Sequence, residues 1–63
     1  MTIGERIRQY REKAGLTQVE LAEKIDAYQE TISQIEHDKI GITVAKLRKI
    51  CDALGVTIAD IVE

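Results

Sequence analysis

Sixty-three residues make one small domain, near the lower size at which a core forms without disulfides or metals. The chain is 44% hydrophobic with two tyrosines as its only aromatics, one cysteine, no proline and a net charge of −2. This excludes an intrachain disulfide, offers no apolar run near the ~20 residues of a membrane span, and argues mildly against a nucleic-acid partner, because phosphate rewards Lys and Arg. The N-terminus also lacks the apolar segment of a signal peptide, so a cytoplasmic location is expected.

Thr2 and Glu5 form a capping box that opens a first helix through about Ala14. Ile3, Ile7, Tyr10 and Ala14 lie along one stripe of it. Gly15 is placed to end that helix in a left-handed conformation. Thr17 and Glu20 repeat the box for a second helix to about Ile25, with Leu21 and Ile25 one turn apart and Ala22 small enough for a close neighbour. Asp26, Ala27 and Tyr28 leave room only for a sharp corner. A third helix follows over roughly Gln29–Glu36, with Ile32 and Ile35 on its inner face.

His37 through Ile42 reads as a loop. Thr43 caps a fourth helix whose buried stripe is Val44, Leu47, Ile50, Cys51 and Leu54, and Gly55 ends it. Thr57 and Asp60 cap a short fifth helix from Ile58 to about Val62. No segment alternates as a strand does. The expected fold class is all-α, five helices in a single domain over residues 1–63, with a helix-turn-helix at about 17–36.

Charge is unevenly distributed. Residues 1–16 carry +2, residues 17–36 carry −4, residues 37–49 carry +3 and residues 50–63 carry −3. Basic segments therefore flank an acidic helix pair.

Arg11, Gly15-Leu16-Thr17-Gln18, Leu21-Ala22, Thr31-Ile32-Ser33, Ile35-Glu36 and Ala53-Leu54-Gly55-Val56, in this order and spacing, resemble the Cro/phage-repressor helix-turn-helix family. The resemblance covers nearly the whole chain. It implies a compact five-helix, lambda-repressor-like domain that binds double-stranded DNA as a dimer and catalyses nothing. It implies a transcriptional regulator, expected to be a repressor, with the third helix in the major groove of a pseudo-palindromic operator.

Residue by residue, the resemblance implies base contact by Gln29, Glu30 and Gln34. It implies DNA-backbone contact by Gln18, Thr31, Ser33 and Lys39, with Thr17 and Tyr28 beside them. It also implies an internal ion pair between Arg11 and Glu36. Glutamine suits adenine, pairing one donor and one acceptor with N7 and N6, and Glu30 can accept from cytosine N4 while repelling phosphate. Three positions depart from the family pattern: Asp26 stands where the turn usually has Gly, Tyr28 where the third helix usually has a Ser or Thr cap, and Glu30 puts a carboxylate on the face expected to meet DNA.

Ile40 and Ile42 lie in a loop with little reason to be apolar, and Ile58 begins the last helix nearby in the family's fold. Together they are the expected homodimer patch, on the side away from the first helix. Cys51 is read as a core residue and His37 as an isolated loop histidine, because a metal site needs partners that this chain does not supply. No nucleophile–base pair or glycine-rich phosphate loop is present, so no enzyme, cofactor or small-molecule ligand is expected. The rival reading is a protein-interaction module, binding a toxin or anti-repressor on the same scaffold with weak DNA affinity; the acidic helix pair is its support. A third is that these residues form the DNA-binding part of a longer regulator.

Overall fold

The computed structural model describes residues 1–62. Five helices appear: α1 (Ile3–Lys13), α2 (Gln18–Lys24), α3 (Gln29–Glu36), α4 (Val44–Leu54) and α5 (Ile58–Val62). Among the described residues there is no strand. α3 lies against both α1 and α2, α4 supports α1 and α2 from below, and α5 closes against α1 and α4. The core is aliphatic. Ile7, Leu21, Ile32, Ile50 and Ile61 are wholly buried, and Ala22, Ile25, Ile35, Leu47 and Cys51 complete it. Each fully buried Ile or Leu contributes about 1.5–3 kcal/mol relative to exposure. Burial also pushes the Cys51 thiol up from its ordinary range, so it is a packing group rather than a nucleophile.

Helix starts follow the expected chemistry. The hydroxyls of Thr2, Thr17 and Thr57 accept from the amides of Glu5, Glu20 and Asp60, whose carboxylates accept in return from the three threonine amides. α4 has half of this arrangement, with the Thr43 hydroxyl accepting from the Lys46 amide. These bonds hold Glu5, Glu20 and Asp60 below the ordinary carboxylate range, the threonine amide being the largest cause in each case. A depressed carboxylate pKa stabilises the fold above its unfolded value, and the benefit disappears as pH falls through the folded value. Acidification below about pH 4 is therefore expected to fray the first turns of α1, α2 and α5 while sparing the start of α4. Amide hydrogen exchange followed against pH checks this; equal fraying at all four starts would contradict it.

Helix ends share one geometry. The residues after α1, α2, α3 and α4 include Gly15, Asp26, Asp38 and Gly55, all at φ between 56° and 74°. The next amide donates back into the helix: Leu16 to the Arg11 carbonyl, Ala27 to Ala22, Lys39 to Gln34 and Val56 to Cys51. Two of these left-handed positions are aspartate, and both flank α3. Asp38 has a second task. Its carboxylate accepts from the Thr2 hydroxyl at 2.5 Å and from the Gly4 amide at 3.1 Å, so the end of α3 caps the start of α1. No hydrogen bond among the described residues involves the Asp26 carboxylate, and nothing in the structure explains aspartate there over glycine.

Two placements differ from the sequence reading. Val44, assigned to the buried stripe, is 64% exposed, because the first residue of α4 projects past the edge of the core. Gly4, to which no role was given, is buried where α1 meets α3. A Cβ there would collide with the Ile35 carbonyl oxygen.

Candidate nucleic-acid interface

Two short helices at a corner expose one face of α3 and hold it with the other. Ile32 and Ile35 anchor α3 in the core, and Gln29 and Glu30 lie exposed at its start. Tyr28 precedes them at 83% exposure, and its side chain makes no cap hydrogen bond to α3. The amides at the start of α3 are therefore left without a side-chain acceptor, and amides in that state suit an anion from outside. Thr31, Ser33 and Gln34 are half-buried along the helix flank, and Lys39 is exposed in the following loop. Glu30, Gln29 and Tyr28 thus share one protruding surface.

Beneath this surface Arg11 and Glu36 are buried together. Arg11 Nε donates to Glu36 Oε2 at 2.6 Å, Nη2 to Oε1 at 3.1 Å, and Nη1 to the Leu16 carbonyl at 2.8 Å. Their bidentate contact ties α1, the turn before α2 and the end of α3 into one unit. The Glu36 hydrogen bonds, ahead of the opposing effect of burial, raise the Arg11 pKa further. Among the described residues no buried side-chain nitrogen or oxygen lacks a partner.

Gln18 is more constrained than a free backbone-contacting residue. Its Nε2 donates to Glu36 Oε1 at 3.0 Å, and its Oε1 accepts from Gln29 Nε2 at 2.6 Å. One N–H of its amide remains for anything outside. Thr17 is exposed, but both its hydroxyl and its amide are engaged in the capping box with Glu20. The charge of residues 17–36 is correspondingly milder than its sum. Glu36 is neutralised by Arg11, whereas Glu20, folded back onto Thr17, keeps its charge.

Structure adds residues that the sequence reading passed over. Thr43, Lys46 and Lys49 of α4 and its cap line a shallow hollow with Tyr28 and Thr31. Two lysines therefore flank the start of α3. The excess of basic residues in 37–49 was the available signal, but nothing local said which of them face α3.

The three isoleucines do not converge as expected. Ile40 and Ile42 line a depression together with Ile3, Gly4 and Ile35, beside the start of α1 rather than away from it. The cause is Asp38, which pins the loop to α1. Ile42 and Ile58 are both partly buried and pack against the core, and Ile58 does not line the depression. His37 places Nδ1 2.8 Å from the Ser33 carbonyl oxygen. No cluster of three metal-ligating side chains occurs among the described residues, nor any helix long and apolar enough to cross a membrane.

Residues 7–61 match the helix-turn-helix family model. The chain is 37% identical over 62 residues to an immunity repressor protein of Bacillus phage phi105, covering 98% of this chain and 43% of that protein. It is 39% identical over 54 residues to the HTH-type transcriptional regulator RamB of Mycobacterium tuberculosis, covering 86% of this chain and 11% of RamB. The chain thus spans less than half the length of these curated relatives. Its structure is similar to that of the clp gene regulator ClgR from C. glutamicum, with a TM-score of 0.91 and 30% identity over 94% of this chain and 76% of that one.

Proposed function

This chain belongs to the helix-turn-helix family, and from that membership we propose that it binds double-stranded DNA sequence-specifically as a transcriptional regulator, a repressor, with α3 in the major groove. The observation that carries the proposal is the protruding start of α3, where Gln29 and Glu30 are exposed and the first amides have no side-chain acceptor. Gln29, Glu30 and Gln34 read base edges. Thr17, Gln18, Tyr28, Thr31, Ser33 and Lys39 lie along the sugar–phosphate chain, with Lys46 and Lys49 extending that contact. The regulator acts by binding alone, without catalysis or cofactor, in the cytoplasm.

One α3 reads only a few base pairs, too few to single out a site among the ~10⁶ or more that compete for it. A two-fold dimer doubles the readout. The depression holding Ile3, Ile40 and Ile42 is the apolar surface offered for it, and half-sites about 34–36 Å apart are the matching geometry.

Selection from random duplex DNA tests the proposal. Recovery of two inverted half-sites is the expected result. Gln29→Ala and Gln34→Ala are each expected to relax preference at one position, at a cost of about 1–3 kcal/mol of discrimination. Enrichment of no sequence would favour a protein-interaction module instead.

Glu30 presents a carboxylate to the same face. Glu30→Gln removes a charge that phosphate repels, so non-specific affinity at low salt is expected to rise and the gain to shrink as salt is added. Fluorescence anisotropy on a non-operator duplex checks it; unchanged affinity at low salt would place Glu30 away from DNA.

A further inference from the structure

Resting on the DNA-binding reading, we propose that Asp38 is a positioning residue for the DNA backbone: by tying the end of α3 to the start of α1, its carboxylate sets Lys39 against a phosphate. Asp38 sits at φ 57°, the left-handed position that ends α3. Its amide donates to the Ile35 carbonyl at 3.1 Å, and the Lys39 amide donates to the Gln34 carbonyl at 2.9 Å, so the backbone up to Lys39 is fastened to α3. The carboxylate fastens it a second time, to α1, through the Thr2 hydroxyl and the Gly4 amide. Past that point the chain is loosely held: no backbone hydrogen bond involves Ile40, Gly41 or Ile42. Lys39 is thus the last fixed residue, and it is exposed. A glycine at 38 would adopt the same φ without steric cost and would end α3 equally well. Ending the helix does not need a carboxylate; the tie to α1 does.

Electrostatics gives the assignment a sign. A carboxylate beside a phosphate-binding lysine repels DNA, so charge alone predicts that removing Asp38 strengthens binding. A positioning role predicts the reverse, because a long side chain on a loose loop loses more freedom on reaching a phosphate than one on a fixed loop. Two variants separate these effects. Asp38→Asn removes the charge and keeps the tie. Asparagine tolerates the left-handed backbone, its carbonyl can accept from Gly4, and its amine can donate to the Thr2 hydroxyl, where Glu5 occupies only one lone pair. Asp38→Gly removes charge and tie together. α1 keeps its own capping box between Thr2 and Glu5 in both.

The test measures affinity for the duplex recovered by selection as a function of salt, with helicity checked by circular dichroism. Asp38→Asn is expected to bind at least as tightly as wild type. Asp38→Gly is expected to bind roughly threefold to tenfold more weakly at about 0.1 M salt and to flatten the salt dependence by up to about one phosphate contact per protomer, in the manner of Lys39→Ala. Because Asp38 acts through Lys39, Asp38→Gly combined with Lys39→Ala is expected to bind no more weakly than Lys39→Ala alone. A merely structural role would leave the salt dependence unchanged and make the two losses multiply; either result overturns the inference. So does Asp38→Gly binding as tightly as Asp38→Asn, which would mean that only the charge counts. If Lys39→Ala costs nothing, the lysine meets no phosphate, and the inference falls while DNA binding stands. If selection enriches no sequence, the DNA-binding reading fails first and takes the inference with it.

Discussion

Glu36→Ala is expected to remove about 3–5 kcal/mol of folding stability, the cost of leaving one partner of a buried ion pair uncompensated. A domain of this length has roughly 3–9 kcal/mol in total, so most of the fold's margin goes with one side chain. Arg11 is 8% exposed, and its Nε and Nη2 lose their acceptors together. The guanidinium cannot shed its proton to escape, because its pKa lies above any working pH. Urea unfolding followed by circular dichroism gives the number. Exchanging both partners for apolar residues, Arg11→Met with Glu36→Leu, is expected to be near neutral. That contrast separates the penalty of an orphaned charge from the worth of the pair. A loss below about 1 kcal/mol in Glu36→Ala would mean that Arg11 finds water.

Gly4→Ala is expected to lower stability by about 2–4 kcal/mol, although the same change inside most helices raises it by about 0.5–1 kcal/mol. The added Cβ would collide with the Ile35 carbonyl oxygen and lie 2.8 Å from that of Glu36 and 2.7 Å from Asp38 Oδ1. Two of the three are backbone atoms of α3 and cannot rotate aside. α1 must lift, and lifting it stretches the Gly4–Asp38 hydrogen bond that stitches the two helices. A melting temperature lower by about 10–25 °C is the expected reading in a thermal scan. An unchanged or higher melting temperature would show that α1 and α3 do not approach this closely.

Legibility in the sequence followed the range of the interaction. Capping boxes at Thr2, Thr17 and Thr57 are three-residue events, so spacing alone located every helix start they control. The all-helical class and the corner before α3 were readable for the same reason. Arg11 and Glu36 are 25 residues apart, and only the family resemblance pointed to them. Gly4 carried no signal, because a glycine in a first turn looks like a weak helix former unless the helix it touches is known. Val44 was misplaced because periodicity marks a face of α4 without marking where the core ends along it. Asp38 reads as a loop residue because its partner Thr2 is 36 residues away, and without that partner nothing in the sequence sets Ile40 and Ile42 beside α1. The resemblance implies a backbone contact for Gln18, but its hydrogen bonds to Glu36 and Gln29 exist only once α2 and α3 have met.

Cys51 lies 3% exposed in the middle of α4, among the aliphatic side chains, and is the chain's sole sulfhydryl. A maleimide or disulfide reagent cannot reach it until α4 lifts away from the rest, so under fast-reacting conditions the rate of labelling equals the rate at which the protein opens. The molecule therefore carries its own stopwatch. It has no tryptophan to report unfolding by fluorescence, yet the timing of its excursions can be read chemically, by mass, one molecule at a time and without altering a single residue.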